Sequence, residues 1–125
     1  MRLLLDTHIL LWALAGDRRL GKAEALILDP ANTVTVSAAS YLELAIKISQ
    51  GKIDVSIPQI RAAVVKSGFE ELPVTGIHAE VLAGLPWRHK DPFDRILVAQ
   101  ALAEPLRLVT ADAMVADYSD TVILV

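Results

Sequence analysis

Four acidic side chains occupy places in the sequence where carboxylates could work together. Asp6 follows the run RLLL, and Asp112 follows the run RLVTA. Glu43 lies in the apolar stretch YLELAI, and Asp94 lies in HKDPFDRIL, just before an apolar helical run. Carboxylates about 5 Å apart repel by roughly 3 kcal/mol per pair at an effective dielectric near ~20, so a fold that gathers them indicates a cation between them. Magnesium and manganese prefer carboxylate and water oxygens, which predicts a site for one or two such ions.

Each of these acids also has a purely structural explanation. Asp6 and Asp112 can each cap a helix that follows a strand. Glu43 can form a surface ion pair with Lys47, since the two stand at i and i+4 in the favourable order. The metal site is favoured over these explanations only when the acids are considered together, because four separate segments send an acid toward one end of the same sheet.

The segment HKDPFDRIL divides its two aspartates between these explanations. Asp91 is a natural N-cap, with Pro92 at the first helical position. Asp94 then lies in the first turn, where the helix dipole favours negative charge. Because the cap and the proline fix the helix start, they also fix where Asp94 points. We therefore interpret Asp91 as the cap and Asp94 as a metal ligand, with an outer ligand role for Asp91 left open.

Alternating strand and helix patterns must position these acids. Apolar or β-branched runs predict strands at 2–5, 33–37, 107–110 and 121–125, with a shorter one at 70–74. Helical periodicity, caps and breakers predict helices at 8–16, 22–29, 40–51 with Ser40 as N-cap, 58–68, 77–85 and 92–104. This alternation is typical of an α/β domain with a mainly parallel sheet, which binds ligands at the carboxyl ends of its strands.

Composition limits the class of protein. The 125 residues are enough for one domain, 1–125, and 54% of them are hydrophobic. The absence of cysteine excludes disulfides, thiolate metal sites and a cysteine nucleophile. With a net charge of −3, any phosphate binding must be local. The start MRLLLDTHILLWALAG is similar to a secretion signal, but Asp6 and His8 interrupt it, and no run is long enough to cross a membrane. We expect a cytoplasmic protein with no membrane contact.

Four stretches together resemble the PIN domain family, and within it the VapC-type toxins of bacterial toxin–antitoxin pairs. They are LLLDTHILLWAL, VSAASYLELAIK, HKDPFDRILVAQAL and LRLVTAD, which span nearly the whole chain in this order. The resemblance implies a three-layer α/β/α sandwich and an endoribonuclease that depends on Mg²⁺ or Mn²⁺. It also implies an RNA substrate, a cognate antitoxin that inserts a basic side chain into the acidic site, and a homodimer.

The same resemblance assigns roles to the four acids, none of which is substituted. Asp6 and Asp94 would bind the principal metal ion directly. Glu43 would hold that ion through water or help to activate the nucleophile. Asp112 would complete the site, with a second ion where one binds. By family analogy, cleavage would leave 5′-phosphate and 3′-hydroxyl ends.

Other residues near these acids are candidates for supporting the metal ligands or contacting the substrate. The hydroxyls of Thr7 and Thr110 could orient a carboxylate or a metal-bound water, although Thr110 can also be read simply as a strand residue. Arg95 could contact a substrate phosphate or form a salt bridge with a nearby acid. Asp91, like these three residues, could act around the metal ligands without binding the ion directly.

The aromatic and basic residues near these motifs are open to two interpretations each. The segment RHK at 88–90 could guide RNA or be a solvated loop. Trp87 could stack on a base or contact a partner, whereas Trp12 fits a core or interface position better. His8 could act as a base, but packing at a helix start explains it as well.

Two other functions compete with the nuclease. Phosphoryl transfer to an aspartate would suit Asp6, but the sequence lacks a DxD motif there, since position 8 is His8, and it has no lysine after Lys90. A non-catalytic PIN-fold module for protein binding is the other alternative. The intact acids argue against it.

Overall fold

A parallel sheet forms the middle of the molecule. The computed structural model describes residues 1–88 and 90–125. Within these residues the strands are β1 (Arg2–Leu5), β2 (Thr33–Ser37), β3 (Glu70–Leu72), β4 (Arg107–Thr110) and β5 (Ile123–Leu124). They pair in the order β3-β2-β1-β4-β5, and each of these pairings is parallel. The predicted α/β fold with a mainly parallel sheet is confirmed.

Helices cover both faces of this sheet. They are α1 (Thr7–Ala15), α2 (Ala23–Leu28), α3 (Ala38–Ser49), α4 (Ile57–Lys66), α5 (Gly76–Ala83), α6 (Pro92–Ala103) and α7 (Ala113–Ala116), with a 3-10 turn at Arg18–Leu20. Leu3 and Leu5 belong to one buried apolar cluster, and Leu4 belongs to a second one that includes Leu97 and Val98 of α6. Since successive strand residues face opposite sides, the two clusters are two cores on either side of the sheet, which makes three layers.

The central strand explains where the acids meet. Leu3, Leu4 and Leu5 are fully buried, as expected for a strand that is covered on both faces. Leu5 is paired with Val36 of β2 and Val109 of β4. The chain therefore leaves β1 at residue 6 beside the last residues of both neighbouring strands.

Most element boundaries agree with the sequence predictions to within two residues, but one cap was predicted at the wrong serine. Ser37, not Ser40, caps α3, because its hydroxyl accepts a hydrogen bond from the backbone N–H of Ala39 at 3.0 Å. The helix begins directly at the end of β2, with no loop between them. Ser40 is consequently buried inside the first turn. The short helix α7 and the 3-10 turn were not predicted.

In the described part of the chain, no helix combines the length and the apolar character that a membrane crossing requires.

Candidate active site at the carboxyl edge of the sheet

Asp6 is the acid at the end of the central strand, and both of its carboxylate oxygens are held in place. Its side chain is only 6% exposed. Oδ1 accepts the backbone N–H of Ile9 at 2.8 Å and thereby caps α1. Oδ2 accepts the hydroxyl of Thr110 at 2.5 Å. The position and orientation of this carboxylate are therefore set by two separate elements, α1 and β4.

The surroundings of Asp6 oppose its negative charge. Burial is the largest influence and raises the pKa of Asp6 above its ordinary value. The hydrogen bonds from Thr110 and Ile9, and the nearby His8, lower the pKa, whereas the charge of Glu43 raises it further. The net result is a raised pKa. A cation beside this carboxylate would relieve both the burial and the repulsion from Glu43.

Glu43 lies on α3 and is also nearly buried, at 6% exposed. One of its oxygens, Oε2, lies 3.0 Å from Nζ of Lys47, one helical turn later. The predicted ion pair is thus present. Thr7, one residue after Asp6, donates its hydroxyl to the hydroxyl of Ser40 at 3.0 Å. This buried bond joins the start of α1 to α3 one turn before Glu43, so Thr7 bonds to a serine and not to a carboxylate.

Asp91 and Asp94 occupy the first turn of α6. Oδ1 of Asp91 accepts the backbone N–H groups of Phe93 at 2.9 Å and Asp94 at 3.2 Å, and Pro92 is at the helix start. Asp91 is therefore the cap of this helix. Asp94 lies inside the first turn, partly buried, where the helix dipole favours a carboxylate.

Asp112 is joined to Asp6 through a single hydroxyl. Its backbone N–H donates to Oγ1 of Thr110 at 3.0 Å, and the same hydroxyl donates to Asp6. Its own carboxylate accepts the backbone N–H of Met114 at 2.8 Å and caps α7. The hydroxyl of Thr110 therefore holds both the side chain of Asp6 and the backbone of Asp112.

Two clefts lie among the acids, and Asp94 lines neither of them. One, of about 420 Å³, is lined by Asp6 and Asp112 together with His8, Trp12, Ala111 and Ala113. The other, of about 360 Å³, is lined by Glu43 and Asp91 with Ile46, Lys47, Gln50, Lys90, Pro92 and Phe93. The structure thus brings Asp6 together with Asp112, and Glu43 together with the start of α6.

The donor chemistry of these residues fits Mg²⁺ or Mn²⁺. The candidate ligands are carboxylates, which are the oxygen donors that these ions prefer. Burial and the charge of Glu43 both raise the pKa of Asp6, and a bound cation would favour its ionised form. Among residues 1–88 and 90–125, however, no three acidic or histidine side chains are already arranged to hold an ion.

The contacts described for Arg95 are with uncharged groups rather than with a neighbouring acid, and its contact with a substrate phosphate stays a prediction. Its guanidinium is buried, at 8% exposed, and Nη1 donates to the carbonyl of Pro86 at 3.1 Å and to the hydroxyl of Tyr118 at 3.2 Å. The same group lies 4.5 Å from the centre of the Trp87 ring. Its contacts join the segment that precedes α6 to Tyr118, which follows α7.

The remaining candidates lie around the clefts. Trp87 is 72% exposed. Trp12 is partly buried, with Arg19 above its ring at 5.1 Å. His8 is exposed, with its ring 6.1 Å from that of Trp12. Lys90 is exposed at the Glu43 cleft. His89 lies outside the described residues.

Sequence reasoning missed a buried polar link between the helices that carry Glu43 and Asp94. Gln100 of α6 is fully buried, and its Oε1 accepts the hydroxyl of Ser37 at 2.5 Å. Ser37 in turn caps α3, the helix of Glu43. The glutamine stands among apolar residues in ILVAQALA, and that polar exception was the available signal.

Comparison with known proteins gives consistent matches over most of the chain. The family model of the PIN domain matches residues 3–120. Ribonuclease VapC22 of Mycobacterium tuberculosis is 34% identical over 113 residues, which are 87% of this chain and 85% of that protein. The fold is similar to a chain of VapBC2 from Rickettsia felis, with a TM-score of 0.70 and 20% identity over 100% of this chain and 98% of that one. It is also similar to a chain of FitAcB from Neisseria gonorrhoeae, with a TM-score of 0.68 and 19% identity over 98% and 96% of the two chains.

Proposed function

Because this chain belongs to the PIN domain family, we propose that it is a metal-dependent endoribonuclease and the toxin of a toxin–antitoxin pair. The observation that carries the proposal is the state of Asp6. A carboxylate buried at the end of the central strand, with its pKa raised by burial and by Glu43, is held at a cost to the fold. Such an arrangement is useful to a protein that binds a cation there.

The proposed ligands follow from the positions of the acids. Asp6 and Asp94 would bind a Mg²⁺ or Mn²⁺ ion directly, and Asp112 would complete the site. When bound, the ion supplies positive charge to the scissile phosphate and favours the deprotonated form of a nearby water. The ligand roles of these acids rest on the family and on donor chemistry.

The chain's own residues would prepare the site before any substrate arrives. Ile9 and Thr110 hold both oxygens of Asp6, so that this acid needs no reorientation. A carboxylate oxygen of Glu43 would accept the proton of the attacking water. The water oxygen would bond to phosphorus as the bond from phosphorus to the 3′-oxygen breaks. The 3′-oxygen then takes up a proton from solvent and Glu43 releases its proton to solvent, which leaves a 5′-phosphate and a 3′-hydroxyl end.

A cleft away from the acids offers a place for the antitoxin partner. A cleft of about 550 Å³ is lined by Ala13 of α1 and by Ser67 and Phe69, together with Gly16, Asp17, Arg18, Leu20, Glu24, Ile27 and Leu28. It therefore joins the two apolar stretches ILLWAL and AAVVKSGF. A solved structure with a similar fold, from Klebsiella pneumoniae, is a toxin–antitoxin complex. We propose that an antitoxin segment docks in this cleft and sends a basic side chain to the acids, and that the toxin forms a homodimer in the cytoplasm.

A non-catalytic module for protein binding is the competing function. It is favoured by one observation: in the part of the chain that the structure describes, no three potential ligands are arranged around one point. In that case Asp6, Asp91 and Asp112 would serve only as helix caps.

RNA cleavage by the purified, partner-free protein separates these functions. The protein is incubated with total cellular RNA and Mn²⁺ or Mg²⁺, beside an EDTA sample and the Asp94→Asn protein. Discrete fragments that disappear in both controls would support the nuclease, and end mapping would test the 5′-phosphate. A lack of cleavage together with a lack of metal binding would favour the binding module.

A further inference from the structure

Trp87 is a large aromatic side chain left open to solvent next to the candidate site. It lies in the segment between α5 and α6, and it is 72% exposed. Stacking on a nucleic-acid base requires an aromatic ring that is open to solvent, and the Trp87 ring meets that requirement. We infer that Trp87 is a stacking platform for one base of a single-stranded RNA, an inference that rests on the proposed ribonuclease function.

The indole is held before any ligand arrives. The guanidinium of Arg95 lies 4.5 Å from the centre of the ring, within the range of a cation–π contact. Arg95 is itself fixed, because it is buried and donates to the carbonyl of Pro86 and the hydroxyl of Tyr118. That hydroxyl also accepts the backbone N–H of Arg88 at 3.3 Å. A ring supported in this way loses little side-chain freedom when a base stacks on it.

The charges around the ring suit a nucleotide. A cleft of about 420 Å³ is lined by Trp87, Arg88, Lys90 and Met114. The side chain of Arg88 is 51% exposed, and its contact with the carboxylate of Asp117 is a long one, at 3.5 Å. Lys90 is exposed as well. Two cations beside a π surface match the phosphates and the base of one nucleotide. An aromatic peptide side chain would make no use of the two cations.

The position of the cleft relates it to the acids. Lys90 lines this cleft and also the cleft of Glu43 and Asp91. Met114 belongs to α7, the helix that Asp112 caps. A strand with one base on Trp87 would therefore pass along the carboxyl edge of the sheet. Paired bases are already stacked on one another, so the platform selects single-stranded over duplex RNA.

Binding in EDTA tests the inference without cleavage. A fluorescein-labelled, single-stranded RNA dodecamer of mixed sequence is titrated at fixed salt, and anisotropy gives the Kd. Trp87→Ala should weaken binding by about 5- to 150-fold, the range for the loss of one base–aromatic stack. Trp87→Phe should keep most of the affinity, since phenylalanine retains a ring. Ile77→Ala, which removes another exposed apolar side chain (64% exposed), is the matched control and should bind as the parent does.

Tryptophan fluorescence gives a direct readout of stacking, because the chain contains few tryptophans. The chain has two, so the Trp12→Phe protein reports on Trp87 alone. Its emission should be quenched by the single-stranded dodecamer in EDTA, and much less by the same sequence as a duplex. Equal quenching by both forms would overturn the preference for single strands.

The possible failures can be told apart. Unchanged binding by Trp87→Ala, with melting behaviour like that of the parent, would overturn the platform while leaving the nuclease intact. If Trp87→Ala lost binding to a protein partner but bound RNA normally, Trp87 would be a protein contact, and the stacking platform would be overturned as well. RNA binding that depends on Trp87, in a protein that never cleaves RNA with Mn²⁺, would uphold the platform and overturn the nuclease.

Discussion

The hydroxyl of Thr110 donates a hydrogen bond to Oδ2 of Asp6 across 2.5 Å, although the two residues are 104 positions apart in the chain. The parallel pairing of β1 with β4 creates this contact, because both strands end at the same edge of the sheet. The same oxygen of Thr110 accepts the backbone N–H of Asp112. One threonine therefore connects the acid of the central strand with the acid that follows β4.

Asp6→Asn should stabilise the metal-free protein at pH 7. Burial raises the pKa of Asp6 in the folded state, so the folded protein holds the proton more tightly than the unfolded chain does. The stabilisation that Asp6 contributes to folding is therefore fully present below the ordinary aspartate pKa, and it is lost as the pH rises through the pKa of the folded state. Asparagine removes the charge and keeps an oxygen for the N–H of Ile9. We expect a rise of a few degrees in Tm, where about 1 kcal/mol corresponds to roughly 3–6 °C for a domain of this size.

The pH dependence provides the control for this prediction. Melting of both proteins in EDTA from pH 4 to pH 8 should show the gap in Tm closing as the pH falls toward the ordinary pKa of aspartate. An Asp6→Asn protein that melts well below the parent at pH 7 would mean that burial of this charge is not the dominant effect.

Thr110→Val should raise the pKa of Asp6 further. The hydrogen bond from Thr110 lowers that pKa, and valine has a similar shape but no hydroxyl. The acidic limb of the pH–rate profile should therefore move to higher pH. We expect a roughly 10- to 100-fold loss in cleavage rate, as is usual when a partner that orients a metal ligand is removed. Stability should fall by about 1–3 kcal/mol in urea, since the N–H of Asp112 is left without its acceptor.

Thr110→Ser is the matched control, because it keeps the hydroxyl and loses only a methyl group. It should restore most of the activity and return the profile toward that of the parent. A profile for Thr110→Val that moves to lower pH would contradict the assignment of the hydrogen bond.

Most of the fold could be predicted from local sequence patterns. The strand RLLL was identifiable because a strand covered on both faces needs a continuous apolar run. The start of α6 was identifiable because Asp91 and Pro92 provide the cap and the first helical residue. The helix α7 was missed, since four residues are too few to show a helical period. Ser40 is the serine next to the apolar pattern, whereas the helix begins at the strand end and is capped by Ser37.

The site could be predicted less completely, because its contacts join distant segments. The sequence rule for parallel sheets correctly placed Asp6 and Asp112 at one edge. Nothing local indicates that Thr7 bonds to Ser40, 33 positions away. The burial of Arg95 under Trp87 is likewise a tertiary effect. The sequence identified which acids share an edge, but their separation depends on how helices pack, which local patterns do not specify.

Manganese should raise the Tm of the parent protein and not that of Asp94→Asn. A ligand that binds only the folded state stabilises it by about 2.7 kcal/mol at 100 times its Kd. That corresponds to a shift of roughly 10 °C for a chain of this size. The measurement is a series of melting curves from 0 to several millimolar Mn²⁺ at constant ionic strength. Asp94→Asn keeps the backbone N–H that donates to Asp91, so α6 should still begin at the same residue.

A control outside the acids makes this result specific. Asp17→Asn removes another helix-capping aspartate, at the 3-10 turn, and should shift with manganese as the parent does. An equal shift in Asp94→Asn would show that the ion binds elsewhere or without that carboxylate.

Lys47→Gln should tighten manganese binding. The ammonium of Lys47 lies 3.0 Å from Glu43 and lines the same cleft, so in the metal-free protein it is ion-paired with this acid. A divalent ion that arrives beside Glu43 is repelled by this charge, and unit charges about 4 Å apart interact by about 1 kcal/mol even in water. We expect a roughly fivefold lower Kd for Mn²⁺ in calorimetry at low salt. Lys47→Arg, which keeps the charge, should bind as the parent does, and the difference should shrink at high salt because exposed charges are screened. A Kd for Lys47→Gln that is unchanged or higher would mean that the ion binds away from Glu43.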